Sequence, residues 1–187
     1  QYTQLVTLTA TVSSGSLQPT GTVEFYDGGT KLGTGTLVTV AGQQQAVFST
    51  AALTLGAHTL QAKYVGDTNY AASDSATVPQ TVNPLDTTTT VAANPSPSLF
   101  NQTVTITATV GPAGSAPLGS VDFYIDGALA GSKLVSGSTA VFTTSSLAIG
   151  DHQLQAKFIG NTGFNPSDSS LVGHTVNAVG TAVAVSA

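Results

Sequence analysis

Three histidines and a few carboxylates supply most of the proton-transfer and metal-binding chemistry open to this 187-residue sequence. Cysteine is absent, so neither a thiolate nucleophile nor a thiolate metal site is available. His58 lies in "LGAHTL" and His152 in "IGDHQL". Catalysis at either would need a nucleophile or carboxylate within hydrogen-bond reach in an open cleft. Both instead recur at one place in two similar strings, which points to a structural task. His174 stands where the earlier string has Gln80, and reads as a surface substitution.

The acidic residues pass through the same sieve. Asp67 and Asn69 of "VGDTNY", with Asp74 nearby, offer oxygen ligands of the kind Ca²⁺ takes. The second string offers Asn161, Gly163 and Asp168, one carboxylate and one side chain fewer, so turn formation by Asx side chains is the favoured reading. Asp27 and Asp126 each precede a glycine at a hairpin turn. Glu24 and Asp122 fall on the outward face of a strand. Paired carboxylates for glycoside hydrolysis need a cleft on which both converge, and nothing in the pattern suggests one.

Tyr26 and Tyr124 alternate with Phe25 and Phe123 and so point outward, where an aromatic ring could stack on a sugar. Isolated surface rings commonly just cover neighbouring strands. Lys63 and Lys157 are also outward, which argues against an isopeptide crosslink, since that requires a lysine on the core face.

Composition narrows the classes further. Only 7% of residues are charged, the net charge is −5, and the four basic residues are Lys31, Lys63, Lys133 and Lys157. Without a basic cluster, neither nucleic acid nor an anionic membrane surface is an expected partner. No apolar run approaches a membrane span. Thr, Ser, Gly, Ala and Val dominate, which reads as an extracellular or cell-surface bacterial protein. The sequence starts at Gln1 rather than Met, as a processed subunit or a window from a longer repeat array would.

An internal repeat supplies the elements that must position these residues. "GTVEFYDGG" at 21–29 matches "GSVDFYIDG" at 119–127, and "AVFSTAALTLGAHTLQAKYVGDTNYAASDS" at 46–75 matches "AVFTTSSLAIGDHQLQAKFIGNTGFNPSDS" at 140–169. The offset is 98 residues between Gly21 and Gly119 and 94 between Ala46 and Ala140, so the second copy loses four residues before "AVF". Val6, Leu8, Ala10 and Val12 alternate with threonines, as do Val104, Ile106, Ala108 and Val110. Period-two alternation marks half-buried antiparallel strands. About seven short strands per copy, divided by Gly, Pro and Asn turns, predict an all-β chain of two tandem immunoglobulin-like Greek-key sandwiches. The expected boundaries are 1–83 for the first domain, 84–86 for a linker stiffened by Pro84, 87–178 for the second domain, and 179–187 for a tail.

The ordered blocks "GTVEFYDGGTKLGT" and "AVFSTAALTLGAHTLQAKYVGDTNYAASDS" resemble the bacterial Ig-like repeat family of secreted and surface-anchored proteins. The resemblance spans nearly all of both copies. It implies stalks, spacers or adhesive modules, in some cases beside extracellular hydrolases, and it carries no catalytic residues. Immunoglobulin domains tie one corner with a tyrosine two residues before the second core cysteine. Here His58 and His152 occupy the tyrosine place and Leu60 and Leu154 the cysteine place. Each imidazole is therefore expected to bond nearby backbone, with Phe25 and Phe123 supplying the bulk of the missing tryptophan.

Aligned at the offset of 98, Gln1 falls opposite Leu99, and the segment from Thr87 to Ser98, which reads as the first strand of the second domain, has no counterpart in the first copy. "GTAVAVSA" at 180–187 follows the second copy as "DTTTTVAAN" follows the first, like the first strand of a further repeat. Two explanations compete: an array cut at arbitrary edges, or donation of Thr181, Ala182, Val183, Ala184, Val185 and Ser186 to the edge formed by Val6, Leu8, Ala10 and Val12 of another subunit. The expected function is a non-enzymatic stalk, spacer or filament subunit, without cofactor. The alternatives are a carbohydrate- or host-binding module and an accessory part of a secreted hydrolase. Other copies of the chain, neighbouring repeats or surface glycans are the expected partners.

Overall fold

The computed structural model describes residues 1–15, 18–111 and 119–186. Among the described residues seventeen strands form and no helix occurs. The chain divides into two units, Gln1–Pro84 and Leu85–Ala187.

The first unit contains β1 (Val6–Val12), β2 (Thr22–Asp27), β3 (Thr30–Thr36), β4 (Val38–Val40), β5 (Gln43–Thr50), β6 (Gly56–Tyr64), β7 (Ser73–Asp74) and β8 (Val78–Val82). One sheet runs β1-β5-β4; the other runs β3-β2-β6, with β7 and β8 both pairing β6. The second unit contains β9 (Thr88–Asn94), β10 (Ser98–Leu99), β11 (Val104–Gly111), β12 (Ser120–Ile125), β13 (Ala128–Leu134), β14 (Thr139–Thr144), β15 (Gly150–Phe158), β16 (Ser167–Asp168) and β17 (Val172–Asn177). Its sheets run β14-β11-β9 and β10-β17-β15-β12-β13, with β16 on β15.

The strands of the two units correspond in sequence register and sheet order except at two places. The four extra residues of the first unit form the β4–β5 hairpin, turning at Ala41 and Gly42, both at positive φ. The second unit also turns through two residues, Gly137 and Ser138, but only the isolated Ser136–Thr139 bridge flanks them in place of the three pairs of β4 with β5. The other difference is β9 and β10, which have no counterpart among the described residues of the first unit. The offset of 98 nevertheless holds back to the first residues. Tyr2 N donates to Asn83 O at 2.8 Å as Phe100 N does to Asn177 O at 2.9 Å. Thr3 and Asn101 share a left-handed conformation, with φ of 61° and 62°.

β-Branched residues alternating with threonine suit a pleated surface with one face buried. In β11, Val104, Ile106, Ala108 and Val110 are buried, and across the sandwich they meet Val121, Phe123, Leu154, Ala156 and Phe158. Burying each such large side chain contributes roughly 1.5–3 kcal/mol. Phe25 stacks on Phe48 at 5.8 Å between ring centroids and Phe123 on Phe142 at 5.7 Å. Gly33 is required beneath the first stack, because a Cβ there would lie 2.3 Å from the Phe48 ring.

The residues read as a linker belong partly to the second unit. Leu85 N donates to Gly163 O, Asn165 N donates to Leu85 O, and Asn165 Nδ2 donates to Asp86 Oδ1. The chain from Thr87 to Ser98, read as one strand, is two. Prolines at 95 and 97 cannot donate to a ladder, and between β9 and β10 the chain passes from one sheet to the other.

Candidate functional site: an open groove in the first unit

β9 lies antiparallel to β11, with Val91 opposite Ala108 and Thr89 opposite Val110. Thr89 and Val91 point into the sandwich and are buried. Thr87 and Thr89 also share hydrogen bonds with Ser167 Oγ, both at 2.7 Å. The second unit is thereby closed along this side.

β1, the counterpart of β11, pairs only with β5 among the described residues. Where β9 would lie, a groove of about 650 Å³ opens between β1 and β6. Val6, Leu8, Ala10 and Val12 line one wall and Leu60, Ala62 and Tyr64 the other, with Phe25 among the lining residues. All four β1 residues are half-buried, whereas Val104, Ile106, Ala108 and Val110 are buried. The same contrast runs along the groove: Ala62 is half-buried and Ala156 buried, Ser75 exposed and Ser169 buried, Tyr70 half-buried and Phe164 buried. Ser73, the counterpart of Ser167, remains on the groove wall.

The tail carrying Thr181, Ala182, Val183, Ala184, Val185 and Ser186 forms no strand and is exposed throughout. Val183 and Val185 are 95% and 96% exposed. In register with β9, Val183 takes the place of Thr89 and Val185 that of Val91.

The histidine corners are built alike. His58 Nε2 lies 2.7 Å from Thr54 O and its Nδ1 lies 2.7 Å from Asp27 Oδ2. In the second unit the distances are 2.9 Å to Ala148 O and 2.6 Å to Asp126 Oδ2. The local backbone bond follows from position; the aspartate contact does not, since Asp27 and Asp126 read from sequence only as turn residues. Its second oxygen accepts from Thr59 N, or from Gln153 N in the second unit. The carbonyl of Thr54, then Asp27, raises the pKa of His58, and the carbonyl of Ala148, then Asp126, raises that of His152. Asp27 is held below the ordinary range by His58, then by Thr59 N–H; Asp126 by Gln153 N–H, then by His152.

His174 is not a surface substitution. It is 2% exposed, and its Nε2 shares a 2.9 Å hydrogen bond with buried Ser98 Oγ of β10. Its Nδ1 has no partner among the described residues. Burial lowers its pKa. Alignment with Gln80 does not reveal this, because β10, which covers the position, has no equivalent among the described residues of the first unit.

Asp67 organises a turn. Oδ1 accepts from Asn69 N at 2.7 Å and Tyr70 N at 2.8 Å, while Oδ2 accepts from Thr20 N at 2.9 Å and Thr20 Oγ1 at 2.8 Å. The Thr20 and Asn69 amides hold its pKa far below the ordinary range. Asp74 instead pairs with Lys63 at 3.2 Å. Asn161 repeats the turn through Gly163 N and Phe164 N.

Both outward tyrosines have a lysine over the ring: Lys63 Nζ is 5.2 Å from the Tyr26 centroid and Lys157 Nζ 5.4 Å from that of Tyr124. Tyr26 OH also donates to Glu24 Oε2, and Lys31 donates to Glu24 Oε1. Asp122 accepts from Ser132, and Lys157 pairs with Asp168 at 2.9 Å.

Among solved structures, the chain is similar to the fibronectin(III)-like modules of Clostridium thermocellum CbhA, at 20% identity and a TM-score of 0.39, covering 92% of this chain and 85% of that one. It is also similar to a bacterial ice-binding adhesin concerned with host cell surface retention, at 18% identity and a TM-score of 0.38, covering 95% of this chain and 59% of that one. Against the Yersinia pseudotuberculosis adhesin InvE the identity is 18% and the TM-score 0.38, covering 94% of this chain and 55% of that one. No curated protein sequence matches the chain. The model of the bacterial Ig-like domain, group 3, matches residues 1–83 and again 89–177, so the chain belongs to that family as two tandem copies.

Proposed function

We propose that the chain is a non-enzymatic structural part of an extracellular bacterial assembly: a stalk, spacer or filament subunit whose first unit is completed by a strand from outside it. One observation carries this reading. Val6, Leu8, Ala10 and Val12 are half-open in the first unit, while their counterparts in the second are sealed by β9. An unpaired edge beside uncovered core invites a strand. The ionisable groups support the same reading, since His58, His152, Asp27, Asp126 and Asp67 all serve corners and turns within their own units.

The sugar-binding alternative would use Tyr26 and Tyr124. A lysine already lies over each ring, which favours the structural reading. Immuno-electron microscopy of the native source tests it. Label along extracellular stalks or fibres supports the proposal, and label confined to the cell interior overturns it.

A further inference from the structure

The groove has a template for its occupant inside the same molecule. Resting on the strand-completion reading above, we infer that the occupant is the Val179–Ser186 segment of a second copy of this chain, lying antiparallel to β1. From Thr81 and Thr175 onward, the sequence leading into β9 and the sequence of the tail align without a gap. That alignment carries the β9–β11 pairing over to a defined register: Val183 opposite Val12, Ala184 opposite Thr11, Val185 opposite Ala10 and Ser186 opposite Thr9.

Three features of the tail fit the groove. Val183 and Val185, the most exposed valines of the chain, fall on the inward face, where Thr89 and Val91 are buried in the second unit. Thr181 falls at the place of Thr87, whose hydroxyl bonds Ser167 Oγ and Asn165 O. The matching serine, Ser73, lies on the groove wall. Val179 falls at the place of Leu85, which bridges Phe164 in parallel, and so is directed to Tyr70. Segment and groove are different surfaces, so the contact is head-to-tail and extends rather than closes.

Register makes the inference testable. Val110 N donates to Ser138 O on the β14 side, so Val110 and Thr89 form a non-hydrogen-bonded pair across β9 and β11. Side chains of such pairs approach closely enough for a disulfide. A Val12→Cys chain is mixed with a Val183→Cys chain and oxidised, with Ala184→Cys as the control whose side chain faces away. A disulfide-linked heterodimer with Val183→Cys and little with Ala184→Cys is expected. Equal yields, or none, overturn the register.

Sedimentation reads the association directly. The average mass of the unmodified chain is expected to rise with concentration, and Val183→Asp/Val185→Asp to weaken assembly about 100-fold or more. Both valines are exposed, so the exchange does not disturb the fold of the chain. A monomer at every concentration overturns the second-copy assignment. So does native material in which a preceding segment of the same polypeptide occupies β1. Either result leaves a spacer role standing, which the microscopy tests separately.

Discussion

His58 and Asp27 form an ion pair at 2.7 Å that the backbone itself demands, because the other ring nitrogen of His58 faces the carbonyl oxygen of Thr54, also at 2.7 Å. Both partners only accept hydrogen bonds. A neutral imidazole has one N–H and would leave one acceptor facing a lone pair, so the doubly protonated ring fits. The same logic holds for His152 between Asp126 and Ala148.

A proton NMR titration of the three histidines should therefore separate them. His58 and His152 should titrate above the ordinary value of 6.5, and His174 below it. Coincident titration of all three would contradict the assignment of charge to the corners.

Stability should follow the same signs. The raised pKa of His58 makes its contribution complete below pH 6.5 and lost as pH rises through the folded value. The lowered pKa of Asp27 makes its contribution complete above pH 3.8 and lost as pH falls through the folded value. The first-unit corner is thus strongest between those limits, and urea denaturation followed by hydrogen exchange in β6 should show more protection at pH 5.5 than at pH 8.5. Asp27→Asn should cost about 1.5–3 kcal/mol at pH 5.5, the range for a hydrogen bond to a charged group, and flatten this dependence.

His174 has the opposite sign. Its lowered pKa means its contribution is present above pH 6.5 and lost as pH falls through the folded value. His174→Gln, which installs the first unit's residue, should make β15 and β17 better protected on acidification than in the parent chain. Unchanged acid sensitivity would place the titrating group elsewhere.

Gly33→Ala should destabilise the first unit by roughly 1–3 kcal/mol through overpacking, because its Cβ would meet the Phe48 ring at 2.3 Å. Adding Phe48→Leu should recover part of the loss. Gly131→Ala, with 2.9 Å to Phe142, should cost less. Thermal melts of the single and double variants decide this.

Amide exchange should expose the open edge. Val110 N points toward β14, so by alternation the amides of Thr105, Thr107 and Thr109 point toward β9. Those of Thr7, Thr9 and Thr11 should exchange much faster than these counterparts in dilute monomer, and slow as concentration rises if the groove fills.

The strands were legible because period-two alternation is a local signal, and Val104, Ile106, Ala108 and Val110 needed no partner to be recognised. The vacancy on β1 was legible because the chain contains its own completed version. Partnerships across long separations were not: Asp27 meets His58 only once β2 and β6 pair. The burial of His174 escapes local reading for a related reason. Its burial depends on Ser98, which reaches it only after the chain crosses between sheets, and no local pattern encodes that crossing.

The three Lys–carboxylate pairs, Lys31–Glu24, Lys63–Asp74 and Lys157–Asp168, each lie within a single sheet, and β1 itself carries only Val, Thr, Leu and Ala. Charge screening weakens exposed ion pairs but leaves apolar burial and main-chain pairing intact. A joint made on the β1 edge would thus hold about as well in brackish water as in fresh, without retuning of the sequence to the surrounding ionic strength.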